Sequence, residues 1–219
     1  MMKAVIIISG GMDSTAALYK ACRDYDAVEA ISFDYGSKHN HKEIPFAKYH
    51  CDKLGIKHQV VNLEFMNKLF KSDLLKSGGN IPEGHYEQEK MKSTVVPFRN
   101  GIMLAIACGY AESIDADKVI IGSHVGDHAI YPDCRTEFNK AINEAMKLGT
   151  YKNVQLEAPF EKLRKEDIAK MGNELGIDFS QTWSCYKGGE LHCGKCGTCV
   201  ERKEAFKLAG LEDKTQYEN

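Results

Sequence analysis

The sequence predicts an α/β protein, a parallel β-sheet with helices on both faces, followed by a small metal-binding module at its C-terminal end. Three observations carry this expectation. Short apolar, β-branched runs alternate with helix-periodic stretches along most of the chain, the pattern of βαβ units. The first run ends in "SGGMDST" and passes directly into a helical pattern, so strand, tight turn and helix follow one another. Four cysteines crowd into residues 185–199, after the alternation has ended.

Taken in order, residues 5–8 form a continuous β-branched run bounded by glycine, which reads as a central strand buried on both faces. From Asp13 a helix carries Ala16, Ala17 and Leu18 inward, with Asp13 and Ser14 placed to cap its first turn. "AVEAISFDYG" is a second strand ending at Gly36. Residues 41–54 form a helix with Ile44, Ala47 and Leu54 on its inner side, and "KHQVVNL" is a third strand. Residues 65–95 break the rhythm: "KSGGNIPEGHYEQEKMKS" is polar, glycine-bearing and without period, and predicts a long loop or flap. The alternation resumes with a helix at residues 100–114, the strand "KVIIGS", a helix at 137–148, a short strand ending near "LEAPF", and a helix at 165–175. In such a sheet ligands bind beyond the carboxyl ends of the strands, where Ser9, Asp34, Gly36 and residues 122–127 fall.

A chain of 219 residues with 43% hydrophobic composition can bury the core of one such domain plus a small module. The expected division is a nucleotide-binding part at residues 1–180 and a C-terminal module at 181–219. The formal net charge of -2 disfavours phosphate-backbone binding, so a small polar substrate is expected and no direct nucleic-acid partner. No run approaches the roughly 20 apolar residues that span a bilayer. The chain opens on a strand and a glycine turn with no signal-type cleavage site, so a cytoplasmic protein without a membrane partner is expected. The oligomeric state stays open, a homodimer included.

Ser9, Gly10 and Gly11 lie between strand end and helix start, where unpaired backbone N–H groups and the helix dipole favour an anion. The string is not a Walker A loop, so a nucleoside triphosphate would be held differently. A bare Gly-Gly needs no more than a turn and an N-cap to explain it; the full string is more specific. "SGGMDST" after a first strand resembles the pyrophosphatase loop, S-G-G-x-D-S, of the ATP-pyrophosphatase superfamily. That resemblance implies an adenine-nucleotide α-hydrolase-like, Rossmann-like fold and cleavage of ATP between its α and β phosphates. It implies that Ser9, Gly10, Gly11, Asp13 and Ser14 cradle the departing pyrophosphate, with Ile8, Met12, Thr15 and Leu18 in the same nucleotide-binding set and Mg2+ accompanying ATP.

"CYKGGELHCGKCGTC" places Cys185, Cys193, Cys196 and Cys199 in the spacing C-x7-C-x2-C-x2-C. Two-residue gaps turn successive thiolates toward one ion, and four thiolates close a tetrahedral zinc site with no position left for a catalytic water. One structural Zn2+ per chain is expected. A cysteine-ligated 4Fe–4S cluster is the alternative, and a redox Cys-x-x-Cys pair would leave two thiols unexplained. Gly194 and Gly197 follow ligands as tight knuckles require, and His192 reads as a neighbour of the set.

"TWSCY" and "HCGKCGTCVERKEAFKLAGLED" are similar to the C-terminal part of the 7-cyano-7-deazaguanine synthase family. The resemblance continues through "FDYGSKHNHKE", "VPFRN", "YPDCR" and "LRKEDI", covering nearly the whole chain in order. It implies that ATP activates the carboxylate of 7-carboxy-7-deazaguanine, that ammonia gives the amide, and that a second activation dehydrates the amide to the nitrile, a precursor of queuosine and archaeosine. The implied catalytic residues are Asp13, Ser14, Lys165 and Arg99, with Asn100 capping the helix that Arg99 begins. The implied substrate contacts are Asp127, Tyr131, Asp133 and Arg135, with Asp127 on the guanine-like N–H edge and Tyr131 stacking. The sequence departs from the family at Ser37, where Gln is usual, at Phe98, where Gly is usual, and at His128, Ala129 and Ile130. Phe98 is expected to crowd the nucleotide. A family member that stops at the amide, a tRNA-thiolating relative, and a zinc-knuckle sensor on a nucleotide domain are the competing functions. His39 and His41 do not share a helix face and predict no metal site with Glu43; Cys134 is expected to pack.

Overall fold

The structure, a computed structural model, describes residues 1–218; Asn219, the last residue of the expected C-terminal module, lies outside the described residues. Five strands, β1 (Lys3–Ile7), β2 (Ala27–Asp34), β3 (Lys57–Asn62), β4 (Lys118–Ile120) and β5 (Gln155–Glu157), form one sheet in the order β3-β2-β1-β4-β5 with every pair parallel. The helices are α1 (Met12–Asp24), α2 (Asn40–Leu54), α3 (Phe65–Leu69), α4 (Arg99–Ser113), α5 (Thr136–Gly149), α6 (Lys165–Glu174) and α7 (Gly197–Ala209). Strand order runs outward in both directions from β1. The loops that leave β1, β2 and β4 therefore meet at a topological switch point, where open α/β sheets bind ligands.

The central strand explains its own sequence. Ala4 and Ile6 pack into the layer of α1, α2, α6 and α7, while Val5 and Ile7 pack into the layer of α4 and α5, so both faces demand apolar side chains. Edge strand β3 exposes four of its six residues and keeps Lys57, Gln59 and Asn62 among them. Among the described residues no helix is long and apolar enough to cross a membrane.

Three expectations need correction. Residues 65–95 are not one free flap. They begin with α3 and end in a 3-10 turn (Glu89–Thr94), and Met66, Leu74 and Leu75 are completely buried. Lys38 fastens the first half by donating from Nζ to the carbonyls of Asp73 (2.5 Å), Leu75 (2.6 Å) and Gly79 (2.9 Å). The helix caps also differ. Gly11 is the N-cap of α1 with no side-chain cap, and Ser14 Oγ instead ties the turn, donating to Gly11 O (3.2 Å) and accepting from Ser9 N (3.1 Å). Asn100 does not cap α4; its own backbone N–H donates to Asp133 Oδ2 at 2.8 Å and its side chain donates to Asp133 O at 3.1 Å. Finally, Phe98 holds a left-handed conformation (φ 52, ψ 29), which favours the glycine of the family. Its ring lies edge-on to Phe138 and outside the walls of the cavity described below, so it does not crowd a ligand there.

The C-terminal segment continues the core. Ala205 and Phe206 of α7 share a buried cluster with α1 and α6, and Phe206 meets Phe179 edge to face. Arg202, with no exposed surface, donates to Thr182 Oγ1 (2.8 Å), Ser184 Oγ (3.1 Å) and Phe179 O (2.8 Å) and pairs with Asp213 at 3.3 Å. Arg202→Met should therefore lower the free energy of unfolding by about 3–5 kcal/mol, because it leaves a half-buried carboxylate and two hydroxyls without their partner. A shift in urea midpoint of less than a quarter of that size would contradict this role.

Candidate active site

A cavity of about 220 Å³ opens at the carboxyl ends of β1, β2 and β4. Its floor is the loop after β1. Gly10 holds φ 95, and a Cβ there would stand 2.1 Å from Glu43 O, so only glycine lets the loop lie against the first turn of α2. Gly10→Ala is expected to displace that turn and to destabilise the fold by at least about 1 kcal/mol, read as a fall in Tm. The hydroxyls of Ser9 and Ser14 stand 3.1 Å apart at this loop.

On the β4 side lies a charged cluster. Lys165, the first residue of α6, places Nζ 3.0 Å from Asp13 Oδ2 and 2.7 Å from Glu201 Oε2 of α7. Burial alone would raise the Asp13 pKa, but the Lys165 ammonium and His124 more than reverse this, holding the carboxyl below its ordinary range. Burial opposes the charge on Lys165 too, and Asp13 and Glu201 overcome it, raising the lysine above its usual value. His124 Nδ1 accepts from Gly126 N at 3.0 Å, while its Nε2 lies 3.7–3.8 Å from Asp13, Asp127 and Glu201. That Nε2 and Asp13 Oδ1 are both buried with no hydrogen-bond partner among the described residues.

On the β2 side the cavity is buried and less ionised. Arg99, the first residue of α4, reaches toward the Tyr35 hydroxyl at 3.4 Å. The Tyr131 hydroxyl bonds those of Thr94 (3.1 Å) and Tyr186 (3.2 Å), and burial raises both tyrosine pKa values, so they stay neutral hydrogen-bonding groups. Glu43 is pushed up to about 8 by burial, only partly offset by Arg99. Burial also drives His39 down to about 3.

Of the residues expected from sequence, Ile8, Ser9, Gly11, Met12, Asp13, Ser14, Arg99, Asp127, Tyr131 and Lys165 all line this one cavity. The structure gives the others different tasks. Thr15 and Leu18 point into the core beneath α1, Gly10 packs on α2, Asp133 accepts from the α4 N-terminus, and Arg135 donates to His128 O at the surface. Sequence reasoning gave no role to Glu201 or Tyr186, placed His124 only within the ligand-binding strand ends, and set aside the cluster of His39 and Glu43. Glu201 sits in "VERKE", which reads as a solvated helix face. His39 and Glu43 carried a signal, since a histidine at the helix cap and a glutamate four residues on share a face.

Beside the cavity the sulfurs of Cys185, Cys193, Cys196 and Cys199 lie within 4.8 Å of one another, all buried and none in a disulfide. Backbone N–H groups of Lys195 and Cys196 donate to Cys193 Sγ, as expected of a knuckle that stabilises thiolate. Four converging thiols fit a soft divalent ion. His192 stays outside the set: its Nε2 accepts from Ser184 N at 3.0 Å and its ring packs on Trp183. Gly194 has the expected left-handed φ of 69; Gly197 instead opens α7, and its lack of a Cβ admits Tyr86 Cα and Met91 Sδ, which a Cβ would meet at 3.3 Å. The second half of the 65–95 segment is latched here. Glu83 forms a β-bridge with Cys196, Gly84 N donates to Lys195 O at 2.9 Å, and Lys187 pairs with Glu83 at 2.5 Å. Ile81, Pro82, Tyr86 and Met91 of the latched stretch form one wall of the cavity.

A parallel sheet ordered about β1, with a glycine loop and an Asp–Lys pair at its switch point, defines an α/β protein of the nucleotide-binding class. The fold is shared with the NMN synthetase of Francisella tularensis, at a TM-score of 0.55 and 15% identity over 96% of this chain and 78% of that one. The chain belongs to the family described as queuosine biosynthesis protein QueC, whose model matches residues 3–210. It is 55% identical over 215 residues to the 7-cyano-7-deazaguanine synthase of Porphyromonas gingivalis (strain ATCC 33277), covering 98% of this chain and 97% of that protein. The synthase of Desulfotalea psychrophila is 55% identical over 217 residues, 99% of each chain. That of Methanoregula boonei is 50% identical over 217 residues, 99% of this chain and 100% of that protein.

Proposed function

We propose that this chain is an ATP-dependent 7-cyano-7-deazaguanine synthase, converting 7-carboxy-7-deazaguanine and ammonia to the nitrile through adenylated acid and amide. The observation that carries the reading is the single cavity that joins an intact S-G-G-x-D-S loop to Lys165, in a chain alike to such synthases end to end. A carboxylate does not accept ammonia because its leaving group would be oxide; transfer of that oxygen to the α-phosphorus of ATP makes AMP the leaving group. The amide oxygen is activated in the same way. One cavity serves both rounds if it fixes the deazaguanine ring and lets only the substituent change.

Negative charge grows on the α-phosphate and on pyrophosphate, so donors aimed there do most of the catalysis. On this reading the Ser9–Gly11 loop, Ser14, Lys165 and Arg99 supply them. Asp13, kept ionised by Lys165 and with one oxygen unpartnered, fits an oxygen ligand for the Mg2+ that ATP brings, which would spread the phosphate charge. Tyr131 stacks on the ring and Asp127 accepts from its N–H edge, while Asp133 and Arg135 hold the supporting loop. The four cysteines would hold one Zn2+, which shapes the wall of the cavity and takes no part in bond making. Residues 1–180 then form the nucleotide-binding part and 181–219 the zinc module of a cytoplasmic enzyme acting on small molecules alone.

The reading expects AMP and pyrophosphate as nucleotide products. Asp13→Ala should lower their formation by about 10²-fold or more, the scale of losing one transition-state contact, while circular dichroism and metal content stay as in the parent. Release of ADP and phosphate by the parent protein would contradict it.

A further inference from the structure

We propose that Glu43, oriented by His39, is the base that removes protons from the reacting nitrogen. The inference deepens the synthase reading and rests on it. It starts from the placement of the two sides of the cavity. Strand order puts β2 and β4 on opposite sides of β1, so the loop after β1 has Asp13, Lys165, Glu201 and His124 on one flank and the start of α2 on the other. The first flank is committed to charge: two of its carboxylates hold Lys165, and Asp127 accepts from His124 N at 3.1 Å. Glu43, on the other flank, takes no part in the Lys165 cluster and forms no ion pair with a lysine or arginine among the described residues. Its neighbour is His39, whose Nε2 lies 3.5 Å from Glu43 Oε2 and whose Nδ1 is buried without a partner.

The groups around Glu43 come from every element packed on it: Gly11 of the loop, where a Cβ would lie 3.8 Å from Glu43 Oε1, Arg99 of α4, Tyr35 beyond β2, and His39, with Tyr186 against the ring of His39. None of them neutralises the carboxylate directly. Burial therefore moves Glu43 up to about 8, close to the acidity of ammonium and far from an ordinary carboxylate near 4.3. Transfer from nitrogen is most effective when base and acid are matched in this way. A neutral His39 cannot compete for the proton and serves to aim the carboxyl group.

The chemistry asks for such a base three times. In amide formation the ammonia lone pair forms the C–N bond, the C–O bond to AMP breaks with its electrons, and one N–H proton passes to Glu43. In the second round the amide oxygen displaces pyrophosphate from the α-phosphorus as the nitrogen gives up a proton. The last N–H proton then leaves as the C–O bond to AMP breaks and the C≡N bond forms. Glu43 returns each proton to solvent, so no oxidant or reductant enters.

The test separates activation from nitrogen chemistry. With 7-carboxy-7-deazaguanine, labelled pyrophosphate should exchange into ATP at rates within about threefold in the parent and in Glu43→Gln, whereas ammonia-dependent amide formation should fall about 10²-fold or more in the variant. Hydroxylamine, largely uncharged near neutrality, should recover most of the lost rate as the hydroxamate. With the amide supplied as substrate, the parent's dehydration rate should rise with pH through about 8 and the variant's should not. Loss of exchange and amide formation together would overturn the proposal by making Glu43 a support for the loop, as would unchanged amide formation. If the parent itself shows no acid-dependent exchange, the synthase reading fails first and the proposal with it.

Discussion

Stripping the metal from the four cysteines is expected to open the substrate cavity and to lower the melting temperature by 10 °C or more. Elemental analysis of the intact protein should find about one zinc per chain, and Cys196→Ser should lose it. Thiolate sites contribute on the order of 10 kcal/mol in small zinc domains. Here Cys185, Cys193, Cys196 and Cys199 are buried in the main core, so part of that energy is shared with packing that survives. A loss of about 5 kcal/mol corresponds to roughly 10–20 °C for a chain of this size. The local effect follows from the latch: Cys196 and Lys195 hold Glu83 and Gly84, and Tyr86 packs on Gly197. Proteolysis within residues 80–90 should therefore precede global unfolding in the stripped protein, and the KM for the deazaguanine should rise at least about tenfold. Iron with labile sulfide would contradict the zinc assignment, and an unchanged cleavage pattern would contradict the latch.

Lys165→Met is expected to abolish turnover with either substrate. Removing the ammonium leaves Asp13 and Glu201 buried without their cation, a loss of about 3–5 kcal/mol when a buried pair is broken, and takes a donor from the phosphates, worth about 10²–10³ in rate. Because Nζ is already shared by two carboxylates, the acid and the amide should be affected alike, as befits a group that serves ATP. The pH dependence supplies a sign. Asp13 has a depressed pKa in the folded protein, so its stabilisation is present above the unfolded value of about 3.9 and is lost as pH falls through the folded one. Without Lys165 the folded pKa rises, and acid unfolding should begin at higher pH than in the parent. An acid limb that does not move would mean that Lys165 and Asp13 are not paired in solution.

What the sequence disclosed and what it hid divide along one physical line. β1, its glycine loop and α1 are written in neighbouring residues: a run apolar on both faces, then the small residues that a close approach requires. The cysteine spacing is equally local. Asp133 at the α4 N-terminus and Glu201 beside Lys165 are pairings across 33 and 36 residues, and nothing at either position announces its partner. Helix α7 was invisible for a related reason. Its inward face carries Glu201 and Arg202, both buried, and a pattern reading assigns such charges to solvent. Leu74 and Leu75 were lost in the same way, as two apolar residues in a polar stretch whose burial depends on Lys38 binding the surrounding carbonyls. Phe98 is the converse case, a bulky residue that holds the left-handed backbone at which glycine is the residue to expect.

On the proposed reading, one cavity carries a carboxylate through an amide to a nitrile at the expense of two α,β-cleavages of ATP. Mass spectrometry of the product formed by the purified protein from 7-carboxy-7-deazaguanine, ATP and ammonium tests it most directly. The predicted result is an amide that accumulates and is then consumed, giving the nitrile with two AMP formed for each acid converted; a reaction that stops at the amide with one AMP, or that leaves the acid untouched, would contradict it.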